Sequence, residues 1–120
     1  YGILKGLQEM HNKGIMHRDL KPENLYSESK DNGTALLRFW IGRIFLNLIL
    51  SVVRCGTPGY VAPEVINIKD MKTKYSTICD IYSLGLIFHI LLYGKSAFPG
   101  TTYNEVLQQN RAANVDLSGD

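Results

Sequence analysis

The chain has 120 residues, of which 45% are apolar and 20% charged, and these ordinary proportions indicate a packed protein and exclude an intrinsically disordered one. The formal net charge is only +2 and the basic residues are dispersed, so we expect no nucleic-acid-binding surface. Cys55 and Cys79 have the spacing of neither a zinc site nor a disulfide framework, which favours a reducing, cytoplasmic setting.

The first predicted element is an N-terminal helix. Ile3, Leu4, Leu7 and Met10 recur at helical spacing, and the Asn-Lys-Gly of residues 12–14 supplies a stop signal. The chain begins without Met and runs directly into this helix, so we expect it to be an excerpt of a longer protein.

A short strand is the most that the next segment predicts. Leu25 and Tyr26 are followed at residues 27–34 by Ser, Lys, Asp, Asn and Gly, which favour an exposed hairpin tip. Residues 35–53 then form an apolar run that has a clean period of neither 2 nor 3.6 residues.

Three helices are predicted in the C-terminal half. Pro63 can open a short helix, since proline is tolerated at the first helical position. Residues 80–93 are apolar almost all round, which predicts a helix in the middle of a core that ends at Gly94. Residues 104–110 predict a helix with a polar face. The pattern as a whole predicts a mainly α fold with a short β-hairpin at most.

The strongest motif is the His-Arg-Asp-Leu-Lys-Pro-Glu-Asn of residues 17–24. It resembles the catalytic loop of eukaryotic protein kinases, in which an Asn follows the Asp by five positions. Three further blocks resemble that family in the same order: a substrate-facing loop at 55–60, Ala-Pro-Glu at 62–64 and the start of the central helix at 80–85. The resemblance covers nearly the whole chain and is closest in character to calcium/calmodulin-dependent kinases.

The resemblance implies a fold and a chemistry. Residues 1–120 would be a partial C-terminal lobe of the protein-kinase-like α+β fold, from the helix before the catalytic loop to about the helix after the central helix. The activity would be transfer of the γ-phosphate of ATP to Ser or Thr hydroxyls of a protein, using magnesium. Lys21 indicates the serine/threonine type, since tyrosine kinases usually carry Ala-Ala-Arg or a variant in this stretch.

The same resemblance assigns site residues. Asp19 would orient or accept the proton of the substrate hydroxyl, Lys21 would face the transferred phosphate, and the hydroxyl of Thr57 can bond both. Asn24 would be the magnesium ligand. The implied catalytic residues are Asp19, Lys21, Asn24 and Thr57, and the implied cofactor-binding residues are Lys21, Glu23, Asn24 and Leu25. Glu23 also suggests a preference for a basic residue upstream of the phosphorylated one.

Other residues receive structural interpretations. The resemblance gives scaffold roles to His17, Arg18, Leu25, Glu64 and Asp80, with Asp80 tying the backbone of the catalytic loop. Cys55 and Cys79 are expected to pack in the interior. Of the other two histidines, we expect His11 at the surface and His89 in the core.

The Asp-Phe-Gly motif, whose Asp holds magnesium in this family, is missing. At the expected distance, residues 38–42 read Arg-Phe-Trp-Ile-Gly. If they are encoded AGA TTT TGG ATT GGN, reading one nucleotide later gives Asp-Phe-Gly-Leu. Residues 35–53 would then be an out-of-frame or divergent segment that replaces the metal-binding motif and the activation loop.

Two alternatives stay open. One is a pseudokinase, a kinase-shaped binding module that has lost its metal-binding Asp. The other is a membrane helix over residues 35–53, against which Arg38 and Arg43 each cost about 2.5–3.5 kcal/mol near a bilayer centre.

The small lobe of a kinase is not represented in these residues, so we expect this piece alone to be inactive. The expected partners of the parent are ATP and a protein substrate, with no nucleic acid and no membrane. Calmodulin binding would lie in a tail outside this chain and is left open.

Overall fold

The computed structural model describes residues 2–27, 35–37, 56–70 and 76–115. Within these ranges the secondary structure consists of α-helices, one 3₁₀ turn and a two-stranded sheet, which confirms the predicted mainly α fold. The elements in chain order are α1 (Gly2–Asn12), the 3₁₀ turn (Pro22–Asn24), β1 (Leu25–Ser27), β2 (Ala35–Leu37), α2 (Pro63–Ile66), α3 (Ile78–Tyr93) and α4 (Tyr103–Ala112).

The end of α1 is set by Gly14. The N–H of Gly14 bonds the carbonyl of His11 at 2.9 Å, and the N–H of Ile15 bonds the carbonyl of Met10 at 3.0 Å. These two bonds form a Schellman motif, and Gly14 takes the left-handed conformation that the motif requires, with φ of +71°. The predicted helix and its stop signal are confirmed, and the chain turns here into the 17–24 loop.

The main core lies between α1, the loop and α3. Its buried residues are Leu7, Met10, Leu20, Leu84 and Ile87. Leu20 comes from the middle of the 17–24 motif and is only 1% exposed. Burying a leucine side chain contributes about 1.5–3 kcal/mol to the free energy of unfolding, so Leu20 anchors the loop between the two helices.

The two strands are antiparallel, with Leu25 opposite Leu37 and Ser27 opposite Ala35. Strand β2 lies against α1. Ser27, expected to begin the hairpin tip, belongs to β1, while the rest of that tip lies outside the described residues. Of the apolar run 35–53, only residues 35–37 are described.

Helix α3 ends at Gly94, which has a left-handed conformation with φ of +69° and whose N–H bonds the carbonyl of Ile90 at 2.8 Å. The prediction that this helix lies in the middle of a core is only half right. One face of α3 is buried, but Ile78, Ile81 and Leu92 on the other are 67%, 50% and 78% exposed. The reason is that the described parts of the chain pack against one side of the helix.

Within the described ranges, every helix is too short or too polar to cross a bilayer. Residues 38–53, which carry most of the apolar run considered as a membrane helix, lie outside those ranges.

Candidate active site

The 17–24 loop is held from behind by the carboxylate of Asp80 in α3. The backbone N–H of His17 donates to its Oδ2 and that of Arg18 to its Oδ1, both at 2.8 Å. Asp80 is 1% exposed, so these charge-assisted hydrogen bonds are made to a buried carboxylate. The scaffold role expected for Asp80 matches this geometry.

Arg18 is one of two non-glycine residues in the described ranges with positive φ, at +67°. This left-handed conformation costs about 1–3 kcal/mol and persists where the surroundings determine it. The paired bonds to Asp80 supply that determination, because they require the N–H groups of His17 and Arg18 to point at one carboxylate. The strain is therefore part of how the loop is held.

The expectation that His11 is a surface residue is wrong. Its Nε2 lies 2.8 Å from Asp80 Oδ2, and its side chain is only 15% exposed. The physical reason is that His11 sits in the last turn of α1, where that helix faces the start of α3. His89 is 7% exposed, as expected for a core histidine, and its Nδ1 lies 3.2 Å from the carbonyl of Lys95.

In front of the loop, three predicted site residues meet at one hydroxyl. Thr57 Oγ1 donates to Asp19 Oδ1 at 2.7 Å and accepts from Lys21 Nζ at 3.0 Å. Lys21 Nζ also lies 3.8 Å from Asp19 Oδ2. The Thr57 hydroxyl therefore holds the carboxylate of Asp19 and the ammonium of Lys21 at a fixed distance from each other. Thr57 is 38 positions from Asp19 and 36 positions from Lys21 in the sequence.

Asn24 completes this group. Its Nδ2 donates to the carbonyl of Asp19 at 2.7 Å and lies 3.2 Å from Asp19 Oδ2. Both contacts use the amide nitrogen, so neither engages the side-chain oxygen, which is the atom expected to bind magnesium. The 3₁₀ turn Pro22–Asn24 brings Asn24 back toward Asp19, with the Asn24 N–H bonded to the carbonyl of Lys21 at 3.0 Å.

The described residues supply part of a magnesium site. Mg²⁺ prefers an octahedron of oxygens and is usually held by one or two carboxylates together with waters and substrate phosphates, so the fact that the described ranges contain no group of three His, Cys, Asp or Glu residues does not count against it. The side-chain oxygen of Asn24 fits one ligand position, and Arg38, at the position where a carboxylate would be expected, lies outside those ranges.

The segment that carries Thr57 is a tight turn. The N–H of Tyr60 bonds the carbonyl of Thr57 at 3.1 Å, with Pro58 second and Gly59, at φ of +93°, third. This is the sequence and geometry of a type II turn. Just before it, Gly56 has φ of +121°, and a Cβ there would lie 2.7 Å from Val61 Cγ2.

Two polar side chains missed by the sequence reasoning hold the turn from outside. Asn110 of α4 accepts from Gly59 N–H at 2.9 Å and donates to the Val61 carbonyl at 2.8 Å, while Ser83 Oγ donates to the Tyr60 carbonyl at 2.7 Å. Asn110 had a signal in the sequence, because helical spacing places it on the same face as Val106 and Leu107.

Of the remaining predicted residues, Leu25 packs against the main core and Glu23 is exposed. Tyr60 has a raised pKa, because of burial first and the nearby charge of Glu23 second. Burial, with the charges of Asp80 and Glu64, raises the pKa of the Cys79 thiol to about 12, so Cys79 is a packing residue as expected. Cys55 lies outside the described ranges.

Residues 1–118 match the family model described as the protein kinase domain. The chain is 40% identical over 117 residues to myosin light chain kinase A of Dictyostelium discoideum, an alignment covering 96% of this chain and 38% of that protein. It is 36% identical to the probable serine/threonine-protein kinase 2 of Plasmodium falciparum, over 97% of this chain and 22% of that protein.

A third relative is the calcium/calmodulin-dependent protein kinase type 1 of Macrobrachium nipponense, 41% identical over 80% of this chain and 27% of that protein. The chain thus spans between 22% and 38% of the length of these three relatives. Since the family model covers almost every residue, the chain belongs to the protein kinase domain family and resembles its serine/threonine members.

Proposed function

We propose that this chain is the part of a serine/threonine protein kinase that places the protein substrate's hydroxyl for attack on the γ-phosphate of ATP. The observation that carries the proposal is the shared hydroxyl of Thr57, bonded at 2.7 Å to Asp19 and at 3.0 Å to Lys21. Phosphoryl transfer depends mostly on positioning and on neutralising charge, and this arrangement serves both.

Each residue has a distinct task in the proposal. Asp19 orients the attacking hydroxyl and accepts its proton, with one carboxylate oxygen held by Thr57. Lys21 brings an ammonium toward the transferred phosphate, where a compact point charge is suitable. Asn24 keeps the Asp19 carbonyl in place through its Nδ2 and would offer its Oδ1 to magnesium.

ATP and magnesium are the cofactors of the proposal, and the metal would neutralise charge on the phosphates when bound. Glu23 and Leu25 stay in the proposed cofactor-binding set with Lys21 and Asn24. The exposed carboxylate of Glu23 would also favour a basic residue upstream of the phosphorylated one. A cytoplasmic location, a protein substrate and calmodulin regulation of the parent belong to the same proposal.

We further propose that residues 1–120 alone are inactive, because the Gly-rich loop, the strand Lys and its Glu partner of a small lobe are not among them. Incorporation of labelled phosphate by the purified 120-residue chain would refute this part.

The second candidate function is a pseudokinase, and Arg38 is the observation that favours it. A cation at the position of the metal-binding Asp would repel magnesium. The frame-slip explanation of residues 35–53 competes with it, and the nucleotide sequence separates the two. Codons other than AGA for Arg38 or TTT for Phe39 would end the frame-slip explanation in this form.

The activity itself is tested on the full-length gene product with labelled ATP and matched Ser, Thr and Tyr peptides. The variant that combines Arg38→Asp with Trp40→Gly restores Asp-Phe-Gly. We expect it to label Ser and Thr peptides, and we expect Asp19→Ala in the same background to lower the rate by about 100-fold or more. A second variant replaces residues 38–53 with the translation of the shifted frame, and no labelling by either variant would overturn the kinase proposal and favour the pseudokinase.

A further inference from the structure

Asn110 in the last turn of α4 is completely buried, with a relative exposure of 0%. Its Oδ1 accepts from the N–H of Gly59 at 2.9 Å, and its Nδ2 donates to the carbonyl of Val61 at 2.8 Å. An amide side chain that bonds residues i and i+2 of a segment supplies the donor and acceptor that a neighbouring peptide group would supply. The sequence prediction placed Asn110 in a polar-faced helix, and its burial distinguishes it from that face.

The bond to Gly59 uses a group that the turn leaves without a partner. A type II turn closes with one bond, here from Tyr60 N–H to the Thr57 carbonyl, and its central N–H does not take part. That central N–H belongs to Gly59. Asn110 therefore fixes the orientation of the peptide group between Pro58 and Gly59.

Thr57 is the first residue of the same turn. Its Oγ1 must stay within hydrogen-bond distance of both Asp19 and Lys21, at 2.7 and 3.0 Å. Because Asn110 bonds both Gly59 and Val61, loss of its side chain would release the segment that begins at Thr57 from α4, and a displacement of that segment would lengthen the two bonds of Thr57 Oγ1. The contacts thus connect Asn110 in α4 with Asp19 through a single four-residue turn.

The other contacts of the turn leave this task to Asn110. Ser83 bonds the Tyr60 carbonyl from the side of α3, at 2.7 Å, and Gly59 approaches α4 closely, with an added Cβ falling 3.4 Å from Val106. Ser83 therefore restrains the Tyr60–Val61 peptide that follows the turn, whereas Asn110 restrains the middle peptide of the turn itself.

We propose that Asn110 is a positioning residue that keeps Thr57 Oγ1 within hydrogen-bond distance of Asp19. The geometry of the site formed by Asp19, Lys21 and Thr57 would thereby depend on α4. The catalytic meaning of this coupling rests on the proposed function. The coupling between Asn110 and Thr57 is itself a property of the fold and is measured without any phosphoryl transfer.

The test uses the full-length gene product and three variants. Asn110→Ala removes both bonds, and Gln108→Ala, at an exposed position of the same helix, is the matched control. Asn110→Asp gives a side chain of the same shape that, when protonated, has one donor and one acceptor and can keep both bonds. When ionised it can accept from Gly59 but cannot donate to Val61, and its charge is buried.

Two readouts by NMR are taken at the same pH values for every protein: the protection of the Gly59 amide against hydrogen exchange, and the chemical shifts of the Thr57 methyl and amide. For Asn110→Ala we expect protection of Gly59 to fall about tenfold, as for the loss of one ordinary hydrogen bond, and the Thr57 signals to move. Gln108→Ala should behave as the wild type does.

Asn110→Asp separates positioning from packing. We expect wild-type protection and Thr57 shifts at acidic pH, and values like those of Asn110→Ala at higher pH, whereas Asn110→Ala shows no such step. This comparison also decides the matter if Asn110→Ala fails to fold. Failure of Asn110→Asp to fold at an acidic pH at which the wild type folds, and where both bonds can form, would overturn the proposal.

The proposal is also overturned if Gly59 keeps its protection in Asn110→Ala, or if Thr57 keeps its shifts while Gly59 loses protection. In contrast, intact coupling together with no labelling by the Asp-Phe-Gly-restored full-length protein would count against the proposed function alone.

Discussion

His11 Nε2 lies 2.8 Å from Asp80 Oδ2, although the two residues are 69 positions apart. The pair joins the end of α1 to the start of α3 directly behind the loop that carries Asp19. One buried carboxylate therefore serves a helix contact and two backbone N–H groups at the same time.

Substitutions of Asp80 and His11 should lower the free energy of unfolding by different amounts, with the larger loss for Asp80. Asp80→Ala removes the carboxylate that accepts from the backbone N–H groups of His17 and Arg18 and releases the constraint on Arg18, so we expect it to lower the free energy of unfolding by about 3 kcal/mol. His11→Leu removes one donor to this carboxylate and leaves the two backbone donors in place, so it should cost about 1–2 kcal/mol. The exposed Lys13→Ala is the control, with a change near zero. Urea unfolding measures all three, and a cost for His11→Leu no larger than the control would contradict this account.

Gly56→Ala should be destabilising, by about 2–3 kcal/mol. An alanine there would have to adopt φ of +121° and place its Cβ 2.7 Å from Val61 Cγ2. Gly85→Ala is the matched control, because that glycine is exposed within α3 and its Cβ would meet nothing within 4 Å. The control should stabilise the protein by about 0.5–1 kcal/mol. Equal midpoints of thermal unfolding for the two variants would show that Gly56 is not constrained as described.

Cys79 should be chemically inert in the folded protein. Burial raises the pKa of its thiol from 9.0 to about 12, so little thiolate exists at pH 8. In a Cys55→Ser background, alkylation by iodoacetamide should be at least about tenfold slower in the native state than in urea. Similar rates in both states would argue against this burial.

The same thiol gives a pH dependence of stability. The pKa of the Cys79 thiol is higher in the folded protein than in the unfolded chain. Its contribution to the free energy of unfolding is therefore complete below about pH 9 and is lost as the pH rises toward 12, because over this range the thiol ionises in the unfolded chain first. Replacing Cys79 with Ala in the Cys55→Ser background should make the stability curve between pH 9 and 11 flatter. If urea unfolding shows the same slope of stability against pH in both proteins over that range, the raised pKa of Cys79 is contradicted.

The start of α4 should be sensitive to acid. Glu105 accepts from the N–H and hydroxyl of Thr101 and from the N–H of Thr102, and these bonds, led by the Thr101 N–H, lower its pKa. A lowered pKa gives stability that is present at neutral pH and is lost as the pH falls through the folded value. Glu105→Gln should lose less stability than the wild type between pH 7 and pH 3, measured by urea unfolding, while Glu9→Gln serves as the exposed control.

Local signals account for most of what the sequence predicted correctly. Gly14 and Gly94 end helices because both occupy left-handed positions, and Pro63 opens α2 at the position where a missing N–H costs nothing. The capping box of Thr102 and Glu105 has a spacing that is visible in the sequence, although the predicted helix over residues 104–110 did not use it. Each of these features depends on residues within one or two turns.

The contacts that position the candidate site are of another kind. The bonds of Asn110 to Gly59 and Val61 span 51 and 49 positions, and periodicity carries no information about such distances. Proximity of Thr57 to Asp19 was expected only from the family resemblance. The incorrect placement of His11 has the same cause, since its environment is created by a carboxylate from a distant helix.

The exposed side of α3 has a consequence for handling the protein. Four exposed apolar side chains recur at helical spacing and form a continuous apolar stripe along the helix: Ile78, Ile81, Phe88 and Leu92. In a concentrated solution of the isolated chain, such stripes would associate with one another, and turbidity should grow with protein concentration and with added sulfate salts. Charged substitutions at Ile78 and Leu92 would then improve recovery of the chain while leaving the buried carboxylate and the turn untouched.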